Sequence, residues 1–265
     1  MDMRRITYIL LFMLLPLMAV ATTQADNILA GIENNTPLTK SDGDDAYEMK
    51  HYDKAIAIYE ALINDEGATK QLHYNLGNAY YRANEIGKAI LNYERALRLD
   101  PTDDAIKANL EFAQDYIKDE ITEQPEMFLA TWFHGVTNTF GVDGWAVIAV
   151  TAFIIALVGI AVLLMVKKNG IRRAGLIISI IAVVVSLFAN IAAMSLYNFV
   201  TDKSQAIVIK EEVTMMSAPG SSTALIRIHE GRKVTVIDDT IENWKEIQLE
   251  DGTVGWVKRG DIELI

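Results

Sequence analysis

The chain has no cysteine, only five prolines and only four histidines. Without cysteine there can be no disulfide, no thiol nucleophile, and no cysteine-ligated zinc or iron–sulfur cluster. His51, His73, His134 and His229 are scattered, with no His-Glu-x-x-His spacing to hold a metal. A Gly-x-Ser-x-Gly elbow, a phosphate-binding loop and a dinucleotide-type glycine pattern are also missing. Asp42, Asp44 and Asp45 do cluster, but at the start of a repeat helix, where acids suit the helix dipole. The residues therefore predict a non-enzyme that needs neither cofactor nor metal.

Charge of one sign is also scarce in places. The formal net charge is −11. From Asp26 to Asp143 there are 22 acidic residues against 10 basic ones, and from Thr201 onward 12 against 8. An acidic surface of this kind repels phosphate backbones, which argues against a nucleic-acid partner. The stretch between these acidic blocks holds no acid at all, only Lys167, Lys168, Arg172 and Arg173.

Hydrophobic residues make up 51% of the chain and are concentrated. Residues 1–25 read as a signal peptide. Arg4 and Arg5 precede an apolar run from Ile6 to Val20, and small residues near Ala21 and Ala25 follow it. Cleavage is expected near Ala25; an uncleaved N-terminal anchor is the alternative. Residues 26–41 read as a linker. Two uncharged runs, 145–166 and 174–200, are each long enough to cross a hydrocarbon core of about 30 Å. The four cations lie in the turn between them, 167–173, and cations at span ends stay in the cytoplasm. Both flanking regions then lie outside the cytoplasmic membrane, on its periplasmic side, as the signal peptide independently requires. A buried helical hairpin is the alternative, and runs this apolar disfavour it. Ala152, Ala156, Gly159 and Ala182 suit a close helix–helix contact. Neither run contains an acidic or basic residue, which disfavours ion or proton transport.

The region 42–119 repeats itself. Gly43 and Gly77, Tyr47 and Tyr81, Ala55 and Ala89, and Tyr59 and Tyr93 are each 34 residues apart. Leu76-Gly77, Tyr80, Ala89, Tyr93, Ala96 and Pro101 resemble a complete tetratricopeptide (TPR) repeat, which predicts stacked helix pairs. A third amphipathic helix, from about Asp103 to Lys118, caps the stack. The resemblance implies that Tyr74, Asn75, Asn78, Tyr81, Arg82 and Asn109 line a peptide- or partner-binding groove. Asn side chains there can pair with a peptide backbone, and Arg82 can take a carboxylate. The alternative is that Tyr74 and Tyr81 only pack against neighbouring helices. Within 120–144, Phe128, Leu129, Trp132, Phe133, Val136 and Phe140 follow a helical spacing, as an interfacial or partner-binding helix would.

Residues 204–265 change to short β-type runs, with Asp251-Gly252 as a hairpin turn. Val213 to Pro219, His229-Glu230-Gly231, Trp244 to Ile247 and Gly255-Trp256-Val257 resemble bacterial SH3-type domains, which implies a small β-barrel. Met216 stands where that family often has arginine. Trp244 and Trp256 are candidates for a ligand surface; in so small a barrel the tryptophan of a Gly-Trp-Val strand is more often core, the reading favoured here. The fold class is thus multidomain, α plus all-β: TPR hairpins, a two-helix transmembrane hairpin and an SH3-like barrel. This order of parts resembles the BatE-like proteins of the bacterial aerotolerance-operon (Bat) family. The resemblance implies an adaptor working beside membrane proteins with von Willebrand-type domains, in aerotolerance or stress. A cell-wall (peptidoglycan) sensor or tether acting through the SH3-like domain is the alternative.

Overall fold

The computed structural model describes residues 37–119 and 128–265. The expected signal peptide (1–25), most of the expected linker (26–41) and residues 120–127 lie outside the described residues. The chain is α plus β, and its first part is a run of antiparallel helix pairs. These helices are α1 (Lys40–Glu48), α2 (Tyr52–Glu66), α3 (Lys70–Arg82), α4 (Ile86–Leu99) and α5 (Asp104–Gln114).

Local chemistry sets the helix ends. Thr39 and Asp42 form a reciprocal capping box at the start of α1. The Thr69 hydroxyl accepts from the Leu72 amide at 3.2 Å, and the Asp103 carboxylate accepts from Ala105 and Ile106. The turns that close α1 and α3 each place a residue in the left-handed region: Lys50 at φ +63° and Asn84 at φ +65°. These two positions are also one repeat apart. Gly77 lets α3 approach α4, because a Cβ there would stand 2.7 Å from the Tyr93 ring. Gly43 meets the Tyr59 ring in the same way, so each repeat uses one glycine–tyrosine contact to set helix spacing.

Helix α6 (Phe128–Thr137) precedes the long helices α7 (Val142–Met165) and α8 (Asn169–Thr201). At 24 and 33 residues, both are long and apolar enough to span a membrane. Side chains such as Val150, Phe153, Leu157, Ile177, Ile181 and Val184 stand exposed along them. Small residues fill the contact between the two. Gly159 and Gly175 face each other, and a Cβ on Gly159 would stand 2.8 Å from the Gly175 carbonyl. The hydroxyls of Ser179 and Ser186 donate to the carbonyls of Ala156 and Ala149 at 3.1 and 3.0 Å. Ala152, Ala156, Gly159 and Ala182 are all buried. The connection is shorter than the expected 167–173 turn, because Asn169 to Arg173 already belong to α8. Arg172 donates from Nε to the Leu163 carbonyl at 3.1 Å, bonding a carbonyl of α7's last turn. On α6, Phe133 packs edge-on against Phe188 of α8 with ring centroids 6.0 Å apart, while Trp132 is exposed.

Seven strands follow: β1 (Gln205–Val208), β2 (Glu212–Met216), β3 (Ala224–His229), β4 (Lys233–Asp238), β5 (Trp244–Gln248), β6 (Val254–Lys258) and β7 (Ile262–Leu264). They form one antiparallel sheet in the order β3-β2-β6-β5-β4-β1-β7. The Asp251-Gly252 turn joins β5 to β6, with Gly252 at φ +86°. The core is built by Val208, Val213, Met215, Ile228, Ile247 and Val257, alternate residues of their strands.

The sheet and the helical repeat share a packed seam. Strand β1 is buried on both faces: Ala206 and Val208 enter the sheet core, whereas Ile207 enters the core of the repeat. Ile209, Ile265 and Ile117 pack around that core. Polar contacts surround these apolar ones. Lys233 meets the buried Glu94 carboxylate at 3.0 Å, and Arg95 donates to Glu263 and to the Leu264 carbonyl. Arg98 donates to the Ile265 carbonyl at 2.7 Å. The Gly87 amide, in the first turn of α4, donates to Glu230 at 3.0 Å, so a carboxylate from the sheet sits at a helix N-terminus.

Asp119 closes the far side of the seam. It accepts from the His229 amide at 2.9 Å and from His229 Nδ1 at 2.6 Å, with Arg232 at 3.5 Å. Burial opposes its charged form, but the two His229 bonds and the Arg232 charge outweigh burial and hold the carboxyl below its ordinary 3.8. Because the folded value is the lower one, this stabilisation is fully present above pH 3.8. It is lost as pH falls through the folded value. Asp119→Asn is therefore expected to destabilise the protein at pH 7 and to flatten the acid limb of its melting temperature against pH. Parallel curves for variant and wild type would refute this.

Candidate functional site: an aromatic and asparagine groove

Helices α1, α3 and α5 present one side of the repeat away from the sheet. Two adjoining hollows lie there, of about 240 and 280 Å³. Asp44, Tyr47, Tyr59, Asn75 and Asn78 line the first; Asn78, Tyr81, Arg82, Asn109 and Phe112 line the second. Tyr47 and Asn78 belong to both, so the two read as one groove. Of the six residues expected there, the structure brings Asn75, Asn78, Tyr81, Arg82 and Asn109 to the groove wall. Tyr74 sits beneath it, tilted against the Tyr93 ring at 6.1 Å, and its hydroxyl accepts from Asn109 at 3.0 Å.

Much of the asparagine chemistry is already organised. Asn78 Oδ1 accepts from the Tyr93 hydroxyl at 2.7 Å and from Asn109 Nδ2 at 2.9 Å. Those bonds fix the side-chain amide so that its NH2 group remains to donate. Asn75 donates to Asp44 at 2.9 Å, and the Tyr59 hydroxyl donates to the same Asp44 oxygen at 2.7 Å. Partial burial raises the Asp44 pKa, yet bonds from Lys40, Tyr59 and Asn75 prevail and keep it below the ordinary carboxylate value. Burial, together with the Asp44 bond, pushes the Tyr59 hydroxyl well above the usual tyrosine range, so it stays a donor.

Arg82 stands at the other end. It has no carboxylate partner among the described residues. Its Nε donates to the Tyr52 hydroxyl at 3.2 Å, and its guanidinium lies 5.6 Å from the Tyr52 ring centroid. Tyr52 thereby orients the fork while leaving its terminal nitrogens open to a planar anion. Beside it, Tyr81 meets Tyr116 edge-on at 5.7 Å, and Phe112 and Tyr116 are exposed.

A helical-repeat family model described as "Tetratricopeptide repeat" matches residues 71–103, the segment that supplies α3 and α4. A second, "Bacterial dipeptidyl-peptidase Sh3 domain", matches residues 228–262 in the sheet. Both matches are short, and together they account for about a quarter of the chain. No curated protein and no solved structure matches.

The second candidate surface is in the sheet. The register pairs Trp244 with Lys258 and Glu246 with Trp256, so both tryptophans lie on the side of the sheet opposite Ile247 and Val257. They are half-buried there, and neither is in the core cluster. This corrects the favoured core reading. The alternation had already separated them: Trp244 is out of phase with Ile247 and Leu249, and Trp256 with Val257. Sequence reasoning also passed over Asp44, Tyr47 and Phe112 in the groove. The repeat period was a usable signal for the first two, since Asp44 and Tyr47 stand one repeat before Asn78 and Tyr81.

Proposed function

We propose that this chain is a non-catalytic adaptor, anchored in the cytoplasmic membrane by α7 and α8, whose outward-facing groove binds an extended segment of a partner protein. The observation that carries this is the open Arg82 fork, held by Tyr52 at one end of a groove whose Asn78 amide is fixed for donation. A main chain laid between them would pair with Asn78, and a partner's carboxylate with Arg82. The seam supports the topology, because residues on either side of the hairpin can pack together only if both modules share one side. The cations Lys167, Lys168, Arg172 and Arg173 lie at the other end of α7 and α8 and favour the cytoplasm.

The sheet is read as a small SH3-like barrel. Irregular register between Met215 and Met216, and between Val236 and Asp238, supports the bending that closure needs. The order of parts supports a place in a Bat-type complex linked to aerotolerance or stress, beside membrane proteins with von Willebrand-type domains. The test is crosslinking and pull-down from native membranes with an Asn78→Ala/Arg82→Ala variant. We expect the partner's recovery to fall at least tenfold, about 1.4 kcal/mol, while folding is kept. Undiminished recovery of every partner would sink the groove.

A second reading rests on the outer face of the sheet. Trp244 and Trp256 supply half-exposed aromatic surface on which a cell-wall ligand, such as peptidoglycan, could stack. Retention of wall fragments by the groove variant but not by Trp256→Ala would favour it.

A further inference from the structure

A further cavity lies outside the groove. It measures about 450 Å³ and opens between α2, α3 and α4, with Glu263 of β7 closing one side. Neither the repeat groove nor the tryptophan face uses it. His73, only 6% exposed, is part of its wall.

The hydrogen bonds fix the state of that histidine. Asn92 Nδ2 donates to the Lys88 carbonyl at 2.9 Å, which turns Asn92 Oδ1 toward His73 Nδ1, also at 2.9 Å. An amide oxygen only accepts, so Nδ1 carries the proton. Burial lowers the His73 pKa against the opposing Asn92 bond, and the ring is therefore neutral near pH 7. Nε2 is then a lone pair. Among the described residues it has no hydrogen-bond partner, and the ring that carries it is part of the cavity wall.

The charges of the wall make a second argument. Lys88 is paired with Glu85 at 2.7 Å, and Arg95 with Glu263 at 2.9 Å. Glu60 has no counter-ion among the described residues; it accepts from the Tyr80 hydroxyl with one oxygen and keeps the other free. An uncompensated carboxylate and a neutral imidazole acceptor face one space, and no free cation of the wall answers them. We infer that this cavity binds a small molecule through a protonated primary amine, which donates to Glu60 and to His73 Nε2. Because Glu263 comes from the sheet and the rest from the repeat, an occupied cavity spans the two modules and stabilises their docking.

The test uses the full chain in detergent, with n-butylamine as probe and tetramethylammonium as a cation that has no N–H. A ligand that binds only the folded state raises the melting temperature in proportion to its occupancy. We expect a concentration-dependent rise with butylamine and none with tetramethylammonium. Glu60→Gln, at the exposed mouth, keeps the acceptor for Tyr80 and is expected to weaken butylamine binding at least tenfold. His73→Phe should do the same; if it fails to fold, Glu60→Gln alone decides. Equal effects of the two cations, an unaltered Glu60→Gln response, or no response up to about 10 mM butylamine would each overturn the assignment.

Discussion

Replacing Ile207 by aspartate is expected to lower the melting temperature of the body formed by sheet and repeat by roughly 10 °C. Ile207 is fully buried, and it is buried in the core of the repeat rather than in that of its own sheet. The substitution would place a carboxylate among aliphatic side chains without a partner, which costs several kcal/mol. Against a typical stability of about 5–15 kcal/mol that is a large fraction, and for a body of this size each kcal/mol moves the midpoint by about 2–4 °C. Ile207→Val, which only removes a methyl, should cost about 1 kcal/mol. The contrast is diagnostic. In a sheet that merely hung from α8, Ile207 would face solvent and aspartate would be harmless. An unchanged melting curve for Ile207→Asp, followed by far-ultraviolet circular dichroism in detergent, would eliminate the shared core.

That shared core was not legible in the sequence, for a physical reason. The repeat declared itself because its contacts are local: Gly43 with Tyr59 and Gly77 with Tyr93 recur at a fixed offset. The long helices declared themselves by length and apolarity. The hairpin turn declared itself through Asp251-Gly252, where a positive φ is required. The seam instead joins Gly87 to Glu230, Glu94 to Lys233 and Asp119 to His229, pairs 110 to 143 residues apart. No periodicity links such residues, and none of them carries a local signal that names its partner. A pattern such as Gln205-Ala-Ile-Val does announce a strand, but not that its second face is buried by another module.

The groove shows a similar division. Its residue types followed from position in the repeat, since helices α1, α3 and α5 must face the same way. What position could not supply was how far the side chains satisfy one another. Asn78, Asn109, Tyr74 and Tyr93 form one hydrogen-bonded set. Binding there draws on the donors left over, the Asn78 amide and the Arg82 fork, rather than on every polar group in the wall. Substituting Asn109 would release Asn78 and so act through it.

Gly87→Leu is expected to separate the two modules without unfolding either. A Cβ at Gly87 would stand 2.8 Å from the Val208 carbonyl, 3.1 Å from Glu230 Cβ and 3.2 Å from the Gly231 amide nitrogen. One ends β1 and two lie in the turn from β3 to β4, and two of the three are backbone, which cannot step aside as a flexible side chain does. Within the repeat itself the change is favourable, because Leu in place of Gly in a helix contributes about 0.5–1 kcal/mol. The steric conflict therefore falls entirely on the seam, and the Gly87–Glu230 hydrogen bond is lost with it. Where the wild type melts in one transition, the variant should show two, the helical one at or above the original midpoint. Amide exchange should speed up in β1 while the helix-to-helix contacts of α3 and α4 stay protected. The hairpin of α7 and α8 still tethers the modules, so this separation is intramolecular and independent of protein concentration. A single transition raised by the helix propensity alone would mean that the seam yields at no cost, and that docking is not what holds sheet and repeat together.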